Sequence, residues 1–284
     1  MSAPRGAETV DLQVHSTASD GVVAPEAIPA AAVAAGLSAF ALTDHDSASG
    51  IAAAVAAAAP LGIRVVPGVE LSATDDAGEV HVLGLHIDPA GALERELAAF
   101  RAQRENRADA IVAKLRELGA NISIEDVRRE ADDGAMGRPH IARALIARGE
   151  CRDLRDAFDR YLGAGRPAFV AKPRLTVSAA ADIIHASGGL AIWAHPGVGG
   201  RRNRVEAMIA AGLDGVEVRH PGHSEEDARR LLALCDHLSL VPSGGSDWHG
   251  DASGRRMLGG MQVPGEWLQR QDERVAIRRS AGIA

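Results

Sequence analysis

Cysteines and long apolar runs are scarce in this sequence of 284 residues. The two cysteines, Cys151 and Cys235, do not form a CxxC pair, so neither a disulfide framework nor a zinc ribbon is indicated. The most apolar stretch, residues 51–63, contains Pro60 and Gly62 and is too short to span a bilayer. Residues 1–16 lack the basic and apolar regions of a signal peptide. We therefore expect a cytoplasmic protein without membrane contact.

Aromatic residues and net positive charge are scarce as well. Only 3% of the residues are aromatic, which leaves little material for stacking the bases of a long single strand. The formal net charge is −7 at pH 7, which argues against a protein that binds polyanions over its whole surface. These two features favour a small anionic ligand or a chain end over a long strand, and they leave room for a local basic pocket.

Strand-like and helix-like segments alternate over the first ninety residues, beginning with the period-2 strand TVDLQVHS. That alternation predicts parallel strands joined by crossover helices. Between residues 93 and 166 the charge density rises and the segments are helical, and the alternation of strands and helices resumes after Pro167. The sequence thus predicts an α/β domain formed by residues 1–92 and 167–284, with a helical insertion at residues 93–166.

Histidines and acidic residues recur where the predicted strands end. They are His15, Asp20, Asp44, His45, Asp46, Glu70, His195, His220, His223, Asp247 and His249, with His81 at the start of the fourth strand. Taken singly, each has an ordinary explanation as a turn, a helix cap or a surface charge. In parallel α/β barrels, however, the carboxyl ends of the strands meet on one face, where active sites lie. Imidazole with carboxylate suits zinc, manganese or iron, so we expect a multinuclear metal centre.

At these residues the sequence resembles a known family. The motifs DLQVHSTASDG, LTDHD, PGVELS, HVLGLHID, AHPG and SGGSDWHG resemble those of the polymerase-and-histidinol-phosphatase (PHP) family. RPHIARALI in the insertion, followed by AFVAKP, is similar to the branch of the family that acts on nucleotides and short oligonucleotides. The resemblance implies a distorted (β/α)7 barrel with an inserted α-helical subdomain that contributes substrate contacts.

The resemblance also implies two or three divalent ions, Mn²⁺, Zn²⁺ or Fe²⁺. The ligand sets would be His15, Glu70 and Asp247, with Glu70 bridging; Glu70, His81 and His195; and Asp20, His45 and His249. Where the family begins this site with His-x-His, the first member here is Gln13. A carboxamide binds such an ion more weakly than imidazole does. Either the first ion is weakly held, or the centre is dinuclear, or the enzyme is impaired.

The implied activity is hydrolysis of phosphate esters by a metal-bridged hydroxide, with Glu70, Asp247 and His223 as catalytic residues and His223 as a proton donor. The substrate would be a nucleoside 3′,5′-bisphosphate, converted to the 5′-monophosphate, or the 5′ end of a short oligonucleotide. Candidates that bind its phosphate are Arg138, His140, Lys172 and His223. Two alternatives remain: a nucleotide-binding module whose turnover is impaired by Gln13, and a histidinol-phosphatase-like enzyme or amidohydrolase. No protein partner is predicted.

Overall fold

A curved eight-stranded β-sheet forms the centre of the protein. The structure is a computed structural model that describes residues 8–90, 92–131, 136–171 and 175–280. In chain order the strands are β1 (Thr9–Val14), β2 (Ala39–Leu42), β3 (Arg64–Asp75), β4 (Gly78–Leu85), β5 (Leu190–Trp193), β6 (Gly215–Arg219), β7 (Val241–Gly244) and β8 (Val263–Pro264). Their order across the sheet is β7-β6-β5-β4-β3-β2-β1-β8.

Helices connect these strands and cover the outside of the sheet. They are α1 (Ile28–Ala34), α2 (Ile51–Ala58), α3 (Ala92–Glu117), α4 (Ile124–Ala131), α5 (Arg138–Ala147), α6 (Leu154–Ala157), α7 (Val177–Ala186), α8 (Arg202–Ala210), α9 (Glu225–Leu238) and α10 (Gly265–Ser280). Side chains cap several of them. Thr176 accepts a hydrogen bond from the amide of Ala179 at the start of α7, and Ser224 forms a capping box with Asp227 at the start of α9. Within the described residues, no helix is long and apolar enough to cross a membrane.

Strand direction departs from the sequence-based prediction at β4. Strands β1, β2 and β3 are parallel, as are β5, β6 and β7, but β4 runs antiparallel to both β3 and β5. The prediction of parallel strands throughout the first ninety residues is therefore wrong at this strand. Only Asp76 and Ala77 separate β3 from β4, and two residues allow a hairpin but not a crossover.

The sheet curls into a nearly closed barrel because β1 meets the segment that follows β7. Val14 forms an isolated bridge with Trp248. Gly245 packs so closely on β1 that a Cβ atom there would lie 2.5 Å from the backbone nitrogen of Gln13. The buried Asp11 carboxylate ties the seam together by accepting hydrogen bonds from the amides of Ser246 (2.9 Å) and Gly259 (2.8 Å). The predicted α/β barrel with helical segments inserted between β4 and β5 is confirmed.

Two separate hydrophobic clusters form the interior of the described part of the chain. The larger lies between the barrel sheet and the helices around it, and it includes Leu93 and Leu97 from the first turns of α3. The smaller is built by the later part of α3 together with α4, α5 and α6, and extends to Ala168. Helix α3 thus connects both clusters. The exact division at residues 92 and 167 remains a prediction.

Helix α10 and strand β8 were not predicted from the sequence. Trp267, Gln271 and Val275 are buried at i, i+4 and i+8 along α10. The polar Gln271 interrupts this apolar stripe, which weakens the helical pattern. Its amide nitrogen donates to the carbonyl of Pro242 in β7 at 2.9 Å, so the helix is fixed to the barrel by a buried polar contact as well as by packing.

Candidate metal centre

Glu70 lies at the centre of a cluster of histidines. It belongs to β3 and is 1% exposed. Its Oε2 is 3.1 Å from His15 Nε2, and its Oε1 is 2.5 Å from His81 Nδ1 and 3.3 Å from His195 Nε2. These histidines come from the ends of β1 and β5 and from β4. Because β4 is antiparallel, its early residue His81 lies opposite Ser72 of β3, at the edge where the parallel strands end.

A second group of donors surrounds Asp20, in the loop after β1. Its Oδ1 is 3.2 Å from His249 Nε2, and its Oδ2 is 3.8 Å from His45 Nε2. The ring of His15 stacks on that of His249 at a centroid distance of 4.2 Å, so the donors around Glu70 and those around Asp20 are in direct contact. The loop is held by the buried Asp44 carboxylate, which accepts hydrogen bonds from the backbone and hydroxyl groups of Ser16, each at 2.7 Å.

Asp247 completes the cluster from the loop after β7. Its Oδ1 is 3.4 Å from His15 Nε2, and its Oδ2 receives a hydrogen bond of 2.6 Å from Arg256. Its backbone φ is 51°, and that of His195 is 34°. Left-handed backbone at non-glycine residues is strained and is typical of functional sites, where it directs a side chain.

The donor atoms form three groups, and within each group they lie within 4.8 Å of one another. The groups are His15, Asp20, His45 and His249; His45, Glu70 and His81; and His15, Glu70 and Asp247. The third group matches a ligand set that the family resemblance implies, and the first group contains such a set together with His15. The second group has His45 where the implied set has His195. Both ring nitrogens of His15 are buried and make no hydrogen bond within the described part of the chain. Such a ring, flanked by carboxylates, suits divalent metal ions.

Charge in the cluster is balanced between carboxylates and imidazoles. Burial acts to raise the pKa of Glu70, but the charges of His45 and His81 outweigh it and hold this pKa well below its usual range. Burial likewise opposes the charged form of His15, yet the neighbouring carboxylates of Asp247 and Glu70 raise its pKa well above the ordinary value. The carboxylates therefore favour their ionised form and need positive charge next to them, which metal ions would provide.

Curated relatives of this chain are named as hydrolases of phosphate esters. A 3′,5′-nucleoside bisphosphate phosphatase from Chromobacterium violaceum is 37% identical over 259 residues, 88% of this chain and 90% of the relative. A 5′-3′ exoribonuclease Rnm from Escherichia coli is 36% identical over 260 residues, 88% of both chains. The profile of the PHP domain matches residues 11–150. The chain belongs to the PHP family. It is a metal-dependent phosphoesterase, a hydrolase of phosphoric ester bonds.

Solved PHP structures have the same architecture. A protein from Bifidobacterium adolescentis, described as a metal-dependent phosphoesterase, superposes with a TM-score of 0.85 at 31% identity and covers 95% of this chain and 97% of its own. A protein from Chromobacterium violaceum, described as an amidohydrolase with bound sulfate, superposes with a TM-score of 0.81 at 33% identity, covering 92% and 96%. The likeness spans both the barrel and the helical segments between β4 and β5.

Gln13 marks the departure of this chain from the usual PHP pattern. Its side chain is fully buried in β1, and its Nε2 donates to Glu70 Oε2 at 3.0 Å. The amide oxygen is buried and has no hydrogen-bond partner in the described part of the chain. Gln13 thus lies against Glu70 whether or not it contacts an ion. Its role as a ligand remains a prediction.

Substitution of Gln13 should change metal retention in both directions. Imidazole binds divalent transition metals better than a carboxamide does, so Gln13→His should retain more metal per chain after dialysis than the wild type. Gln13→Leu keeps a similar volume but removes the contact with Glu70, so it should retain less. Residues behind a metal ligand typically change affinity by about 10- to 100-fold. Elemental analysis of the three proteins measures this. Equal metal content in all three would remove position 13 from the metal centre.

The predicted substrate-binding residues lie in different settings. Arg138, at the start of α5, lines a cleft of about 390 Å³ together with His81 and His195. The buried His140 accepts a hydrogen bond of 3.0 Å from the amide of Gly137, an interaction that caps α5. Lys172 lies outside the described residues. The roles of these three residues in substrate binding remain predictions.

His223 uses both ring nitrogens within the protein. Nδ1 lies 2.9 Å from the carbonyl of Val218, and Nε2 accepts a hydrogen bond of 3.0 Å from the amide of Gly197. In this tautomer the ring proton is on Nδ1 and is donated to the backbone. Burial also lowers the pKa of this imidazole. The arrangement supports the turn after β5, and the predicted role in proton donation would require Nε2 to release the amide of Gly197 and take up a proton.

Glu217 was missed by the sequence analysis. It lies in β6, is fully buried, and accepts a hydrogen bond of 2.6 Å from the amide of His195. Burial raises its pKa well above the ordinary value, and the charges of Asp247 and Glu70 add to the effect. By accepting this hydrogen bond, Glu217 stabilises the left-handed backbone of His195. The signal was present as an acidic residue in the otherwise apolar segment GVEV.

Proposed function

We propose that this PHP enzyme removes the 3′-phosphate of nucleoside 3′,5′-bisphosphates or releases nucleotides from the 5′ ends of short oligonucleotides. It would do so with two or three divalent ions, Mn²⁺, Zn²⁺ or Fe²⁺. The ligands would be the donors of the three groups together with His195, and Gln13 would lie beside the first ion. The position of Glu70 carries the proposal, since its two oxygens face different histidines and could bridge two ions.

The chain's own residues would position the reacting phosphate. When bound, divalent ions at such a centre lower the pKa of water towards about 7 and offset charge on the phosphoryl oxygens. Glu70, Asp20 and Asp247 would supply the negative charge that retains the ions, and hydrogen bonds from Gln13 and Arg256 fix two of these carboxylates. Phosphoryl transfer needs positioning and charge compensation more than a protein nucleophile.

The cleft between the barrel and α5 suits the nucleotide part of the substrate. Arg138 is held there by Phe158 and Phe169, whose ring centres lie 5.8 and 5.7 Å from its guanidinium carbon. Arg107 of α3 and Phe158 line the adjoining part of the cleft. These residues provide positive charge and one apolar face beside the metal cluster. The two curated relatives, named for a nucleoside bisphosphate and for RNA, support a nucleotide substrate.

A substrate panel tests the proposal. Full-length protein supplied with Mn²⁺ is incubated with adenosine 3′,5′-bisphosphate, a 5′-phosphorylated RNA trimer and histidinol phosphate, and the products are separated by chromatography. We expect adenosine 5′-monophosphate from the first or nucleotide monophosphates from the second. Hydrolysis of histidinol phosphate alone would favour the histidinol-phosphatase alternative. Nucleotide binding without turnover would favour the impaired module.

Arg138→Ala should weaken substrate binding and leave the metal content unchanged, because Arg138 lies outside the three donor groups. Loss of a charge-assisted hydrogen bond costs about 1.5–3 kcal/mol, which is roughly a 10- to 100-fold rise in KM. Steady-state kinetics and elemental analysis measure the two effects. Arg143→Ala, also on α5 and paired with Glu130, is the matched control. If both variants have the wild-type KM, Arg138 does not contact the substrate.

A further inference from the structure

A second cleft borders the metal cluster beyond β6. Its volume is about 260 Å³, and its lining includes Arg219, His220, His223 and Arg255. The rings of His195, His220 and His223 follow one another at centroid distances of 5.1 and 5.3 Å, and thus connect the cluster with this cleft. None of the described residues that line it comes from the helical segments between β4 and β5. The cleft is therefore distinct from the one that contains Arg138.

His220 has a buried donor at the boundary between cluster and cleft. The residue is 6% exposed. Its Nδ1 accepts a hydrogen bond of 3.0 Å from the amide of Gly222, so the ring proton of the neutral imidazole is on Nε2. That nitrogen is buried, lies 3.5 Å from Asp247 Oδ2, and makes no hydrogen bond in the described part of the chain. A protonated nitrogen cannot bind a metal, so His220 is available as a hydrogen-bond donor to a ligand.

Two arginines line the same cleft as His220 and are held in place by the barrel. Arg255 donates from its Nη1 to the carbonyl of His223 at 3.2 Å. Arg219 donates to the carbonyl of Gln262, and its guanidinium carbon lies 5.4 Å from the ring centre of Trp267. Each guanidinium has five N–H groups, of which these contacts occupy only a part. Glu225 is the acidic residue among the described residues that line the cleft, so the arginines give it an excess of positive charge.

We propose that this cleft binds a second, non-reacting phosphate group of the substrate. A phosphate accepts several hydrogen bonds at once, which matches one imidazole N–H beside two guanidinium groups. A carboxylate would satisfy fewer of these donors. The inference rests on the proposed function, in which the substrate has a second phosphate on the same nucleoside or on the next nucleotide. The reacting phosphate would lie at the metal centre, and the ring of His220 lies between the cluster and the cleft.

Equilibrium binding of product analogues tests this without turnover. Metal-loaded, full-length protein is titrated by calorimetry with adenosine 5′-monophosphate and with adenosine. The wild type should bind the monophosphate more tightly. In Arg255→Ala that advantage should shrink by roughly 10- to 100-fold, because one charge-assisted hydrogen bond is lost. Arg255 is exposed, so the variant should fold normally. Arg229→Ala, an exposed arginine on α9 outside the cleft, is the matched control.

Each outcome has a clear meaning. An unchanged advantage in Arg255→Ala, an equal loss in Arg229→Ala, or a wild type that binds adenosine as tightly as its monophosphate would overturn the phosphate site. A wild type that hydrolyses no nucleotide in the substrate panel would overturn the proposed function instead. His220→Gln provides a second check, since glutamine can donate from a similar position, and it should retain more of the advantage than His220→Leu.

Discussion

Protein freed of metal by exhaustive chelation should release no phosphate from a nucleotide bisphosphate, and added Mn²⁺ should restore the activity. The expected loss is nearly complete because the described cluster contains no group that could replace the ions. At neutral pH free water is a poor nucleophile, and its pKa must fall to about 7 to supply hydroxide. Phosphate release measured before chelation, after chelation and after addition of Mn²⁺ checks this.

The thermal stability of the protein gives an independent measure of metal binding. Ions that bind the folded chain alone stabilise it by about 2.7 kcal/mol at a concentration of one hundred times Kd. For a chain of this size, that corresponds to a rise in Tm on the order of 5 °C on addition of Mn²⁺. Relief of repulsion between Asp20, Glu70 and Asp247 contributes to the rise. Activity that persists in protein shown to be metal-free would contradict the metal mechanism.

The sequence predicted the donors of the cluster because their positions follow from strand ends. His15, His195, Asp247 and His249 follow strands that the apolar patterns identify, and parallel strands bring such residues to one face. His81 reaches the cluster from a strand that runs in the opposite direction. It lies early in an antiparallel strand, and only the two-residue turn between β3 and β4 shows that it reaches the same face. The barrel and its helical insertion were predicted by the same alternation together with the family motifs.

The residues that support the cluster could not be predicted in this way. Asp11 and Glu217 are buried in β1 and β6, and their partners lie far away in sequence, such as Ser246 for Asp11. A sequence pattern also does not show which ring nitrogen of a histidine donates a hydrogen bond. The sequence marked both His220 and His223 as candidates, but only their contacts show that one presents a donor to the cluster and the other donates its ring proton to the backbone.

Two buried glutamates provide the sharpest test of the cluster. Both Glu70 and Glu217 are at most 1% exposed, yet their pKa values shift in opposite directions. Burial raises the pKa of Glu217. At Glu70 burial is outweighed by the charges of His45 and His81, and the pKa lies well below its usual range. Glu70 therefore acts as an anion, whereas Glu217 favours its protonated form. Glutamine imitates a protonated glutamate but not a carboxylate.

The same substitution should thus have different effects at the two positions. Glu70→Gln should lower metal content and reduce turnover by more than the roughly 10- to 100-fold typical of residues behind a ligand, because a neutral amide cannot bridge two cations. Glu217→Gln can still accept the hydrogen bond from His195, so its effect should be much smaller. Elemental analysis and kcat at saturating Mn²⁺ compare the two proteins, with thermal unfolding as the control for folding. Equal losses would indicate that Glu70 supports the structure rather than the ions. Unchanged metal content in a folded Glu70→Gln protein would place the bridging ligand elsewhere in the cluster.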